Sequence, residues 1–120
     1  MQNFVKTKLS GSTSGMPIKI VATATPGTTL HTARALTGAE QWDELWIAFT
    51  NTNTVAVDLT VEYGGVTDPD NLIVKALSLP PRSAPRFLLD GYVLQNGLLV
   101  RAFASVANVI LAEGWVHQIG

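Results

Sequence analysis

His31 and His117 are the two histidines of this 120-residue sequence, and they are its natural candidates for proton transfer or metal binding near neutral pH. Neither has the company that either chemistry needs. There is no HxH, no HExxH and no histidine-rich tract, and each ring sits alone in a strand-like stretch. Both read as surface or internally satisfied residues. Asp58 and Glu62, in the stretch "VAVDLTVEYGG", share one face of an expected strand. With no acid, base or metal ligand nearby they read as outward, solubilising charges. Asp68-Pro69-Asp70-Asn71 has calcium-loop residue types, but it lacks the further oxygen ligands and the glycine spacing of the twelve-residue site, so it reads as a turn. Ser105 lies in no GxSxG elbow, and the glycines form neither GxGxxG nor a phosphate loop. The residues therefore lead us to expect no catalytic, cofactor or metal site.

Contact chemistry is better represented. Trp42, Trp46 and Trp115 can act as core anchors, as interface anchors or as sugar-stacking platforms. Trp46 alternates away from Leu45, Ile47 and Phe49, which places it off the main core. A large apolar residue on a polar face points to a contact surface. Protein contact is favoured over sugar, because no convergent polar groups can be placed around the ring. Phe4 and Val5 are the bulky apolar residues of an otherwise polar N-terminal stretch, and Arg82 and Arg86 are paired among prolines. Phe4, Val5, Trp42, Trp46, Arg82 and Arg86 are thus the candidate partner contacts.

The elements that must carry these residues are strands. Leu45, Ile47 and Phe49 alternate on one face of a first arm. Val55, Val57, Leu59, Val61 and Tyr63 alternate on one face of a second. The knot Thr50-Asn51-Thr52-Asn53-Thr54 between them predicts a hairpin. Further strands are expected over 18–25, 28–33, 72–79, 85–89, 98–105 and 108–119. The 85–89 strand begins at a proline and so belongs at a sheet edge. Asp90-Gly91 is expected to turn the chain, and Gln95-Asn96-Gly97 is a strong hairpin signal. Gly114 marks a bulge or a close backbone contact. Residues 35–42 read as a loop or one helical turn. Residues 1–16, with Ser10-Gly11-Ser12-Thr13-Ser14-Gly15, read as a flexible arm able to tether a neighbour. The expectation is an all-β chain of about eight short antiparallel strands, a β-sandwich or jelly roll over 17–120, with that arm in front.

Composition narrows the function. Charged residues make up 14% of the chain, against about 25% in ordinary soluble domains, and the net charge is −1. A weakly charged surface suits repeated packing against partners. The eight basic residues are scattered, so no stripe for nucleic acid is expected. No apolar run approaches the roughly 20 residues of a membrane helix, and no secretory signal opens the sequence. The absence of cysteine excludes disulfides and thiolate zinc sites and suits a reducing cytosol.

Thr28-Thr29-Leu30-His31-Thr32-Ala33, then Asp43-Glu44-Leu45-Trp46, Asn51, "LTVEYGG" from Leu59 and "LQNGLLVRAFASVANVILAEGWVHQI" from Leu94 together resemble small virion proteins of tailed bacteriophages, most of all capsid decoration or cement proteins. The resemblance covers most of 28–119. It implies a small β-sandwich or jelly roll on the virion capsid surface, assembled in the bacterial host cytoplasm. It makes the major capsid protein the partner, and it supplies no active site. Separately, a low-charge domain with strand edges and Trp46 off the core face leads us to expect a homo-oligomer, dimer or trimer. The competing readings are a carbohydrate-binding or adhesin module using Trp42 or Trp46, a tail or baseplate component, and, last, a small hydrolase.

Overall fold

A computed structural model describes residues 4–120, and the description that follows is of those residues. They form nine strands and no helix: β1 Phe4–Lys8, β2 Ile18–Lys19, β3 Thr28–Thr32, β4 Trp42–Asn51, β5 Val57–Tyr63, β6 Leu72–Leu79, β7 Arg86–Leu94, β8 Leu99–Ala104 and β9 Ile110–Ile119. No helix is present that could cross a membrane. The strands make two antiparallel sheets. The first runs β1-β9-β4-β7, with β2 beside β9 beyond the end of β1. The second runs β3-β8-β5-β6. The molecule measures 48 × 29 × 20 Å.

The alternation read from the sequence is what closes the core between these sheets. From the first sheet come Leu45, Ile47, Phe49, Leu89, Ile110, Ala112 and Val116. Leu30, Val57, Leu59, Val61, Leu79, Val100 and Ala102 come from the second, all buried. A strand with one apolar face must be covered, and two such sheets cover each other.

That same logic overturns two expected hairpins. β4 and β5 are not partners: β4 lies in the first sheet between β9 and β7, and β5 lies in the second. Side by side, their apolar faces would need a separate cover. In opposite sheets they cover one another. The knot between them is a crossover held by Asn51, which is fully buried. Its amide donates to the carbonyls of Val55 (2.9 Å) and Leu79 (3.0 Å), and its Oδ1 accepts from the Asn53 N–H (2.9 Å). Val55, expected inside, is exposed in this crossover. Gln95-Asn96-Gly97 is likewise a tight turn that joins strands of different sheets. Asn96 and Gly97 take the left-handed backbone such a turn requires (φ 63° and 69°). Their N–H groups, however, donate to the carbonyls of Leu36 and Arg34, which draws the chain across to the other sheet. The hairpin that does form joins β5 to β6 through the polar turn at 64–71.

Other expectations shift for local reasons. Asp90-Gly91 does not end a strand. Gly91 (φ 97°) is a bulge within β7, which continues to Leu94. β7 is an edge strand, as its proline start implied. Residues 35–41 form no helix, in keeping with the loop reading. The strand expected over 18–25 shortens to Ile18–Lys19, and the chain beyond it crosses the end of the sandwich. The separate arm expected over 1–16 is a further correction. Phe4–Lys8 pair with Trp115–Ile119, Leu9 is buried in the core and Ser12 donates to the Met16 carbonyl. Alternation in "FVKTKL" is short, and serine and glycine beside it masked the strand. Residues 1–3 of that expected arm lie outside the described residues.

Candidate functional site

The outer face of the first sheet gathers the aromatic residues. Trp46 on β4 stands directly opposite Trp115 on β9, and their rings are nearly parallel, 11° apart in plane, with centroids 6.0 Å apart. Phe87 of β7 meets Trp115 edge-on at 5.6 Å. His117, two residues along β9, lies 4.7 Å from Phe4 of β1 and 6.3 Å from Trp46. The Lys6 ammonium sits 4.6 Å from the Trp115 ring centroid, within cation–π range. Four strands therefore build one aromatic patch, and period-two alternation is what puts these residues on one face.

Glu44 ties the patch together. Its Oε1 accepts from the Trp46 indole N–H at 2.8 Å and contacts His117 Nδ1 at 3.0 Å. The Trp46 hydrogen bond first, and His117 second, hold this carboxyl below its usual value. Gly114 lets β9 approach β4: a Cβ there would stand 1.8 Å from the Trp46 carbonyl oxygen. Gly91 lies against the Trp46 ring from β7, where a Cβ would make ordinary contact at 3.4 Å, and its φ of 97° is what favours glycine there. Two polar atoms, Trp115 Nε1 and Thr50 Oγ1, are buried without a hydrogen-bond partner.

Beside the patch lies a depression of about 370 Å³. Ala48 and Gly114, both small, line it together with Pro85, Phe87, Trp115, Gly15 and Glu113. A smaller hollow of about 210 Å³ on the second sheet is lined by Asp58, Thr60 and Ser105 among others. There the Ser105 hydroxyl accepts from the Asp58 N–H, so it is engaged in holding a turn.

The expected contact residues divide. Phe4 and Trp46 join the patch. Phe4 is 64% exposed, whereas Trp46 is half-buried with its N–H satisfied. Trp42 lies on the same face at the start of β4 but makes no ring contact with the cluster. Val5 is exposed on the edge strand β1. Arg82 and Arg86 are exposed, in the turn before β7 and at its first residue. Sequence reasoning missed Lys6, Glu44, Phe87, Glu113 and His117 here, and it weighed Trp115 as an anchor without placing it among the partner contacts. The alternation Glu113, Trp115, His117 was a readable signal for one face of β9. The register that sets β9 beside β4 was not.

Two polar clusters are structural. His31 is buried, and its Nδ1 accepts from the Ser10 N–H (3.0 Å), so Nε2 carries the proton and donates to Asp43 (2.8 Å). Arg34 binds the other Asp43 oxygen at 2.7 Å and donates to the carbonyls of Trp42, Ile119 and Gly120. This is a histidine satisfied in place, in a cluster that Arg34 ties to Ile119 and Gly120. Glu62, expected to face solvent, is instead buried. It accepts from the Thr25 hydroxyl (2.5 Å) and the Gly27 N–H (2.7 Å), because the 20–27 segment folds over β5. Asp58 is exposed as expected. No group of three metal-ligating side chains occurs among the described residues.

The chain matches no protein-family model, no curated protein and no solved structure.

Proposed function

We propose that this protein is a structural virion component, a decoration or cement protein that binds between major capsid subunits on a bacteriophage head. The observation that carries the reading is the aromatic outer face of the first sheet, on a chain with few charges. Phe4 and Phe87 remain 64% and 46% exposed there, with no segment of the described chain covering them. Aromatic anchors on a weakly charged surface are the composition of a protein contact. The strand order supports it by analogy. β1-β9-β4-β7 facing β3-β8-β5-β6 is the order of a jelly roll, an architecture that viral capsid domains use and lectins share. The polar groups most suited to chemistry are engaged in internal bonds, His31 with Asp43 and His117 with Glu44.

The sugar-binding alternative is less favoured by the geometry. Lys6 lies over the Trp115 ring, and Trp46 stacks against Trp115, so neither ring offers a free platform of the kind a pyranose needs. On the preferred reading the protein acts as a dimer or trimer on a capsid symmetry axis. Cryo-microscopy of virions tests this directly. Density for this fold at regular positions on the shell, with the first sheet's outer face turned to capsid subunits, is the expected result. Density on the tail alone, or none, overturns it.

A further inference from the structure

We infer that the depression beside the aromatic patch is a receptor for an arginine side chain presented by a partner protein. It is lined by Ala48, Pro85, Phe87, Gly114 and Trp115, with Glu113 the charged residue among them. Among the described residues, no hydrogen bond or ion pair engages the Glu113 side chain. Lys6, Lys8, Arg82 and Arg86 all leave it unpaired; among the described residues the ion pairs join His31 and Arg34 to Asp43, Lys75 to Asp68 and His117 to Glu44. Glu113 is half-buried and Phe87, in the same lining, is 46% exposed, so a cation there gains twice, from the carboxylate and from the Phe87 ring.

The shape selects arginine among cations. A guanidinium is flat, is weakly hydrated, stacks on aromatic faces and meets a carboxylate with two parallel N–H donors. Ala48 contributes only a methyl group to the lining, which leaves space for the three-carbon stem. The chain supplies its own precedent: Trp115 already holds the Lys6 ammonium at 4.6 Å. The inference deepens the proposed function, on which it rests for the partner's identity, because it names what the capsid subunit would present. The pocket's chemistry stands without it.

The probe is N-acetyl-L-arginine amide, titrated at constant ionic strength into 15N-labelled protein while the tryptophan indole N–H resonances are followed. The Trp115 resonance is assigned with Trp115→Phe. A saturable shift of Trp115 with a dissociation constant of about 1–10 mM is the expected result for so small a ligand. The citrulline analogue, equal in shape and uncharged, should leave the resonance in place. Glu113→Gln should weaken arginine binding about tenfold while the melting temperature stays close to that of the parent. No saturable shift, an equal response to citrulline, or unchanged binding in Glu113→Gln each overturns the assignment. Attachment to isolated heads is measured separately. Heads that bind a protein whose pocket refuses arginine overturn the pocket and leave the proposed role standing. A pocket that takes arginine in a protein that heads ignore supports the pocket and removes that role.

Discussion

Glu44 shows how single side chains organise the patch without doing chemistry. Its carboxylate collects the Trp46 indole N–H and His117, and these two bonds fix the rings at their angles. Its folded value lies below the ordinary 4.5, first through Trp46 and then through His117. A lowered acid favours the folded state above the unfolded value, and that contribution is lost as pH falls through the folded value. Thermal melts between about pH 6 and pH 3 should therefore drop more steeply below about pH 4.5 for the parent than for Glu44→Gln. Parallel profiles would mean that the patch does not depend on this carboxylate. Tyr63 titrates in the opposite sense: burial, and then Tyr92 beside it, pushes its phenol well above the ordinary range, while its hydroxyl donates to the Val93 carbonyl. At this scale the sequence was partly legible. Trp46 leaving the core and His31 being satisfied follow from alternation and isolation. The burial of Glu62 does not, because the residues that bond it, Thr25 and Gly27, are 37 and 35 positions away.

Among the elements, β1 departs furthest from the sequence reading. Its five residues pair with β9 along Trp115–Ile119, and Leu9 follows directly into the core at 1% exposure. The N-terminal stretch is thus part of the sheet that carries the aromatic patch. Leu9→Ala should cost about 2–5 kcal/mol in denaturant unfolding, as for other fully buried leucines. A loss under about 0.5 kcal/mol would restore the picture of a dispensable arm. Strand existence was legible where alternation was long, as in β4, β5 and β9. Strand partnership was not. The Asn-rich and Asn-Gly turns announce tight reversals correctly, yet a reversal can return within one sheet or cross to the other. What decides is where the turn's N–H and amide groups find carbonyls: Leu79 for Asn51, and Leu36 and Arg34 for Asn96 and Gly97. Those partners are distant in the chain, so no local pattern carries them.

For the whole molecule, the proposed role rests on repetition. One aromatic patch with few charges makes a modest contact. Many copies, each joined to subunits that are themselves joined, convert modest contacts into strong attachment through effective concentration. Low charge assists, since neighbouring copies repel one another weakly. The consequence is mechanical. Heads carrying the protein should survive heating or low salt that bursts bare heads. The double substitution Phe4→Ser with Phe87→Ser should move decorated heads toward the bare behaviour. Phe4 is 64% and Phe87 46% exposed in the free protein, so its own melting temperature should fall little, and a melt of the isolated variant controls for that. Equal survival of bare and decorated heads would end the cement reading, and a tail-associated or sugar-binding role would then account better for the aromatic face. Survival restored by the parent protein but not by the variant would tie head stability to that face of the first sheet.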